Sequence, residues 1–296
     1  MKYFTTLSDY NYLPLGMSLY ESLKKTSKDD FILYYLCLDD NSFNKLLDIS
    51  KTESKIVPIS LRNLMNENQD LLEYKKREYR EFVWMLASYF THYILIYKKV
   101  NSVAYIDADI YLYGDIQIMY DEIGNNSVGI IRHRHIEENA NTIDGKYNVG
   151  IVYFKNDVIG RHCLDWWKDA VLYRKYPELS TCYDQKYLEG FSMMYPQSIC
   201  VVDKTFAHSA PWHHRLYDWS SHDIDKKITW NNQKQFLLFN HFSRIKFDVN
   251  NNTYLPSGGQ YPDHTLNFKV FDIPQVKKIH DDYFDELKRV SKIYNL

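Results

Sequence analysis

The sequence lacks the excess of basic charge that a phosphate-gripping surface needs. Its 36 Lys and Arg stand against 38 Asp and Glu, a formal net charge of −2, which argues against sequence-independent binding of nucleic acid. It also lacks any apolar stretch approaching the roughly 20 residues that span a bilayer. The opening Met1-Lys2-Tyr3-Phe4-Thr5-Thr6 carries no secretory apolar region or cleavage site. These absences lead to the expectation of a cytoplasmic protein with at most peripheral membrane contact. Cysteine is scarce: Cys37, Cys163, Cys182 and Cys200 show no Cys-x-x-Cys spacing, so zinc and dithiol chemistry are set aside and buried free thiols are expected. Internal repeats and low-complexity tracts are absent too. Aromatics are plentiful, 16% of the chain with 27 Tyr. Most should fill the core, leaving some rings to stack on sugars or bases.

At 296 residues the chain is long enough for one large or two small domains. Its first half alternates apolar runs with helical patterns. Tyr3 to Leu7 is a short β run, and Leu15, Leu19, Tyr20 and Leu23 recur at helical spacing after Pro14. Phe31 to Leu38 is a continuous apolar strand closed by Asp39-Asp40, followed by a helix over about Phe43 to Ser50 and a strand over Ile56 to Ile59. Val83, Ala87, Phe90, Ile94 and Tyr97 then mark the buried stripe of a long helix. This alternation predicts an α/β fold, Rossmann-like, with a mostly parallel central sheet flanked by helices. Further on, Ser127 to Ile131 and Tyr147 to Phe154 read as strands around a polar segment, Arg132 to Lys146, with the character of a lid. A helix over about Asp157 to Tyr173 and strands over Ile199 to Val202 and Phe236 to Phe239 follow. Val276, Ile279, Tyr283, Leu287, Val290 and Ile293 share one face of a terminal amphipathic helix beside Lys277, Lys278, Lys288, Arg289 and Lys292.

The chemistry concentrates where the run Val103 to Ile106 leads into Asp107-Ala108-Asp109. In extended backbone, positions i and i+2 share a face, so the two carboxylates can converge on one cation while Ala108 leaves room behind them. Carboxylate oxygens suit a hard divalent ion, Mg²⁺ or Mn²⁺, and the carboxyl end of a buried strand is where open α/β sheets gather ligands. An Asp-rich turn with no ligand is the plainer alternative. Four later segments add to the first. Asn148-Val149-Gly150 opens a strand whose glycine admits close approach, Asp184-Gln185 begins a short amphipathic helix, Ala210-Pro211-Trp212 is a rigid corner, and Phe236 to Phe242 delivers His241 at a strand end.

In that order, Asp107, Asp109, Asn148, Gly150, Asp184, Gln185 and His241 resemble the motifs of glycosyltransferases of the GT-A fold, most closely family 8. His133-Arg134, the string Asp184 to Leu188 and the Ala210-Pro211-Trp212 corner are similar to a bacterial branch acting on surface polysaccharides. The resemblance runs from about Tyr3 to Phe247. It implies a nucleotide-sugar-binding and catalytic domain over 1–247, with 248–296 a loop and helix packed on it. It further implies a nucleotide-diphospho-sugar donor, a UDP-sugar foremost, and a glycan or lipid-linked glycan acceptor. The expected metal ligands are Asp107, Asp109 and His241, whose imidazole tilts the preference from Mg²⁺ to Mn²⁺. Ala108, Asn148 and Gly150 are expected on the donor, Thr5 and Thr6 on its base, and His133, Arg134 and Trp212 on the acceptor or lid side. Where the family places Gly and Lys after its late His, this chain has Arg244 and Phe247, with Lys246 one place early. Arg244 or Lys246 is then expected on the diphosphate.

An inverting transferase would use Asp184 as the base for the acceptor hydroxyl. The family resemblance implies retention, with Gln185 beneath the anomeric carbon and Asp184 on donor hydroxyls; a helix cap is the plain alternative for both. Two other readings compete. A phosphatase of the haloacid dehalogenase type also opens with a strand and Asp-x-Asp, but it carries Thr or Val where Tyr111 stands and a later Asp pair not found after Ile131. A sugar-binding protein that has lost turnover would have had less reason to keep Asp107, Asp109 and His241 together.

Overall fold

The computed structural model describes residues 1–134, 144–179, 184–202, 204–243, 245–248, 253–255 and 272–296. The apolar runs of the first half are the strands β1 (Lys2–Ser8), β2 (Phe31–Cys37), β3 (Ile56–Ser60) and β4 (Ser102–Ile106), separated by α1 (Leu13–Thr26), α2 (Asp40–Ile49), α3 (Leu61–Glu67), α4 (Asp70–Tyr74) and α5 (Tyr79–Tyr97). Pro lies in the first turn of α1, where its missing N–H costs nothing. Asp39 closes a capping box with Ser42 at the start of α2. After β4 come β5 (Ile110–Leu112), α6 (Gln117–Ile123), β6 (Val128–Arg132), β7 (Tyr147–Lys155), α7 (Val158–Leu172), α8 (Glu189–Met194) and β8 (Ile199–Val201). The remainder is β9 (Ala207–Ser209), α9 (His222–Asp225), β10 (Lys227–Trp230), β11 (Gln233–His241), β12 (Lys246–Asp248), β13 (Thr253–Leu255) and α10 (Pro274–Tyr294).

Seven strands form one sheet in the order β3-β2-β1-β4-β7-β6-β8. Only β7 opposes its neighbours; every other adjacent pair is parallel. A mostly parallel sheet between helices is therefore what the alternation produces. Within β4, Val103 and Tyr105 pack with α5 and α7 on one face, whereas Ala104 and Ile106 pack with α1, α2 and α6 on the other, as a period of two demands. A smaller sheet, β10-β11-β5 with β9 parallel to β11, lies against the second face through Leu238 and Phe239.

Two local differences from the sequence reading matter. β4 stops at Ile106, and Asp107 to Asp109 form a turn closed by Ile110 N donating to the Asp107 carbonyl at 3.1 Å. The chain must leave the large sheet there to enter β5, which pairs with β11 instead, so a turn rather than strand alternation aims the two carboxylates. β11 begins three residues before the expected strand, because Gln233 to Gln235 continue the pairing with β10. The base of the Arg132–Lys146 segment is closed by His133 N donating to the Lys146 carbonyl at 2.8 Å, while residues 135–143 lie outside the described part. Cys37 and Cys163 are buried free thiols and Cys200 is part-buried; Cys182 lies outside the described residues.

The terminal helix docks on its own chain. Tyr283, Phe284 and Leu287 of α10 join Leu15 of α1, Phe242 and Ile245, and Arg289 reaches Glu21 of α1 at 2.9 Å. Ile293, counted with the apolar face, is 55% exposed. Lys278 pairs with Asp282 and Lys277 with Asp281, so the basic residues are locally neutralised. Among the described residues no helix is long and apolar enough to cross a membrane.

Around the smaller sheet, His208, His213, His214 and His280 are buried. Burial pushes each below the ordinary imidazole range, His214 to about 3 and His280 to about 4. A neutral buried imidazole binds no proton when folded but gains one on unfolding below pH 6.5, so stability falls as pH falls through that window. Each such group contributes a slope of about 1.4 kcal/mol per pH unit. Urea titrations between pH 6.5 and 4 should therefore show His214→Gln losing stability less steeply than the unaltered protein, by about that slope. Leu287→Ala should cost about 2–5 kcal/mol, read as a lower urea midpoint at constant m-value.

Candidate active site

The turn after β4 meets the end of β11 because β5 runs antiparallel to β11, with Ile110 opposite His241. Backbone bonds fix the turn from both sides. Asp107 N donates to the Gly150 carbonyl at 2.9 Å, and Phe242 N donates to the Asp109 carbonyl at 2.8 Å. As a result His241 Nε2 lies 3.0 Å from Asp109 Oδ1 and 3.6 Å from Asp107 Oδ2. Among the described residues, Asp107, Asp109 and His241 form the one group whose ligand atoms all fall within 4.8 Å of each other.

The electrostatics follow from that crowding. Burial lifts the Asp107 carboxyl, with His241 pulling against it and Asp109 adding to it. Burial alone would lower the His241 imidazole, yet Asp109 and Asp107 together hold its charged form and raise it. Asp184 is driven well above the carboxylate range by burial and then by facing Asp107. Three acids and one imidazole thus meet with little solvent, a donor set that fits a divalent cation: carboxylate oxygens plus a nitrogen, with negative charge in excess.

Asn148 and Gly150, at the start of β7, form the adjoining wall. A Cβ at position 150 would sit 2.6 Å from Asn148 Oδ1 and 3.1 Å from His241 Nδ1, so a side chain there would displace the Asn148 amide and crowd the imidazole. Asn148 Oδ1 accepts from Gly150 N at 2.8 Å, and its Nδ2 donates to Gln185 Oε1 at 2.9 Å. The Gln185 amide in turn donates to the Asp144 carbonyl at 2.7 Å. Gln185 stands at the cap position of a short 3₁₀ turn, Lys186–Leu188, but makes no side-chain capping bond. Its amide is held across the site instead. The Asp184 carbonyl accepts from Trp167 Nε1 at 2.9 Å, which anchors this segment on α7.

Other expected residues fall elsewhere. Thr5 and Thr6 lie mid-strand in β1 and are wholly buried, and Thr5 Oγ1 is 2.9 Å from Thr91 Oγ1 of α5. Their side chains belong to the core rather than to the strand end expected of them: β1 extends to Ser8, so its carboxyl edge is Ser8 to Tyr10. His133, Arg134 and Trp212, expected on the acceptor or lid side, are buried as well. The His133 ring stacks on Trp212 at 4.8 Å, Arg134 lies 4.2 Å over Trp230 and donates to Tyr217 Oη, and Trp212 meets the His241 ring edge-on at 5.4 Å. These three form a wall behind the imidazole. Ala108 is buried between the two acids. Arg244 lies outside the described residues, and of Lys246 only the backbone, in β12, lies inside.

Two features escaped the sequence reading. Tyr105 Oη donates to Asp107 Oδ1 at 2.7 Å; its signal was a polar-tipped ring two residues before the acid on a strand. The second is a cavity of about 440 Å³ at the carboxyl ends of β2 and β3, lined by Asp39, Asp40, Arg62, Arg77 and Tyr79 among others. Its signal was the Asp39-Asp40 pair that directly follows the apolar run of β2. Asp9 links this edge to α5 by accepting from Tyr79 Oη at 3.2 Å.

Comparison with known proteins gives this geometry a family. The uncharacterized protein YfnF of Bacillus subtilis (strain 168) is 25% identical over 293 residues, covering 94% of this chain and 86% of that protein. YfnD of the same organism is 23% identical over 288 residues, covering 95% and 85%. Among solved structures, the galactosyltransferase LgtC in complex with donor and acceptor sugar analogues superposes with a TM-score of 0.57 at 14% identity, covering 81% of this chain and 87% of that one. An active-site mutant of LgtC gives 0.60 at 12% identity and 95% coverage of both. Mouse xyloside xylosyltransferase 1 gives 0.54 at 15%, covering 82% and 98%. These likenesses establish the GT-A fold. The family model "Glycosyl transferase family 8" matches residues 5–175, more than half of the sequence, and the chain accordingly belongs to glycosyl transferase family 8.

Proposed function

We propose that this glycosyltransferase depends on a divalent metal and moves a hexosyl-type sugar from a nucleotide-diphosphate donor to a glycan or glycolipid acceptor with retention of configuration. The observation that carries this reading is the convergence of Asp107, Asp109 and His241 within 4.8 Å. Those three residues would hold the ion, Mn²⁺ ahead of Mg²⁺ because one ligand is an imidazole. When bound, the ion supplies Lewis-acid stabilisation of the charge that develops on the departing diphosphate. The cavity beside Asp39 and Tyr79 is of a size to take the nucleoside end, and a UDP-sugar is the donor class to test first. Asn148 and Gly150, beside Asp107 on β7, are proposed on the donor, and Arg244 or Lys246 is proposed on the diphosphate.

Retention is supported by the state of Asp184. Buried against Asp107, its carboxyl is held well above the usual range, which disfavours the charged form that a base for the acceptor hydroxyl would need. The orientation of the Gln185 amide by Asn148 and the Asp144 carbonyl supports a role for Gln185 beneath the anomeric carbon, with Asp184 donating to or accepting from sugar hydroxyls. Residues 1–247 are read as the catalytic domain and 248–296 as a loop and helix packed on it. The likeness of His133-Arg134, Asp184 to Leu188 and Ala210 to Trp212 to the surface-polysaccharide branch supports a role in that synthesis, on the cytoplasmic side of the cell membrane.

Incubation with a panel of nucleotide-sugars and Mn²⁺, scored by nucleoside diphosphate release, tests the assignment. One donor should turn over, EDTA should abolish release, and Mn²⁺ should restore it. Donor binding without release would support the inactive sugar-binding reading instead. Asp107→Ala and Asp109→Ala should each lower turnover by more than about 100-fold with the melting temperature unchanged or raised, since removing one acid relieves repulsion; near-normal turnover in either variant would place the metal elsewhere. Proton NMR of the product should show the donor's anomeric configuration, and an inverted product would refute retention.

A further inference from the structure

The two oxygens of Asp107 have different surroundings. Oδ1 accepts the Tyr105 hydroxyl at 2.7 Å, while Oδ2 faces His241 Nε2 at 3.6 Å. The Tyr105 ring is buried in the layer beneath α5, clamped on β4 between Thr5 of β1 and Val152 of β7. Its hydroxyl therefore cannot follow the carboxylate if that group rotates. A phenylalanine would fill the same space and leave the carboxylate unheld.

We propose that Tyr105 is a positioning residue that restricts Asp107 to one metal-facing oxygen and thereby sets which cation the site prefers. The inference rests on the metal reading of Asp107, Asp109 and His241. A carboxylate with one oxygen engaged by a rigid donor presents a single ligand atom, which matches small cations of six-fold coordination. Ca²⁺ takes six to eight oxygens and readily uses carboxylates in bidentate fashion, so it gains most from a carboxylate free to turn both oxygens inward. Tyr105 thus selects for Mn²⁺ or Mg²⁺ and against Ca²⁺. Partners that orient a metal ligand generally change affinity by about 10–100-fold when removed.

The test is calorimetric titration of the full chain with Mn²⁺ alone and with Ca²⁺ alone, before and after Tyr105→Phe. The expected result is Mn²⁺ affinity lower by about 10-fold or more, Ca²⁺ affinity unchanged or higher, and so a Mn²⁺-to-Ca²⁺ ratio at least tenfold smaller. If the phenylalanine variant does not fold, Asp107→Glu reports the same bond from the carboxylate's side: the longer side chain cannot keep both the hydroxyl and its place, and the ratio should fall likewise. A folded variant with an unchanged ratio overturns the role of Tyr105 alone. Absence of Mn²⁺ binding by the unaltered protein overturns the metal reading and this inference with it.

Discussion

Acids brought together away from water repel one another unless positive charge or protons lie among them, and much of this structure is arranged around that constraint. Asp107 and Asp109 are anchored by backbone bonds to two different strand systems, Gly150 on β7 and Phe242 after β11. Those bonds fix the two backbones, so the carboxylates stay at this turn even though the Asp107 side chain is part-exposed. The imidazole between them is drawn toward its charged form by the acids despite its burial, and burial beside Asp107 shifts Asp184 the other way, toward its neutral form. A site so built has standing demand for a cation.

The reversal of β7 within an otherwise parallel sheet serves the same end. Antiparallel pairing to β4 brings the start of β7, not its end, alongside the carboxyl end of β4. Asn148 and Gly150 thereby adjoin Asp107, whereas a parallel neighbour would have presented its far terminus. The register shift between Ile130 and Ile131 where β6 meets β7 falls at the same end of the strand, where bulges re-aim side chains.

The strands that bear the site were legible because they are apolar runs ended by polar residues: Val103 to Ile106 before the acids, Phe236 to Phe239 before His241. Period-two burial in β4 and the helical stripes of α5 and α10 follow from the same spacing rules. What sequence spacing could not supply was chain direction and register. The acid pair converges through a turn rather than an extended strand, because β5 leaves the main sheet to join β11. Thr5 and Thr6 lie inside β1 because the strand runs on to Ser8, and strand ends are set by pairing that composition does not carry. His133 and Arg134, expected on the acceptor or lid side, have an interior setting beside the Trp212 and Trp230 rings that no linear pattern discloses.

Burial by itself does not decide what a histidine does in this molecule. His208, His213 and His214 share a neighbourhood with His241, and all four are shielded from solvent. The first three are pushed down by lost hydration, reinforced by Arg134 for His208 and His213 and by His280 for His214. His241 alone is raised, because it alone faces Asp109 and Asp107. Trp212, edge-on to its ring at 5.4 Å, and the bare Cα of Gly150 on the Nδ1 side leave the imidazole little freedom to turn its Nε2 away. Position on β11 relative to the turn, fixed by the pairing of Ile110 with His241, is what separates a prospective ligand from three core residues of the same chemistry.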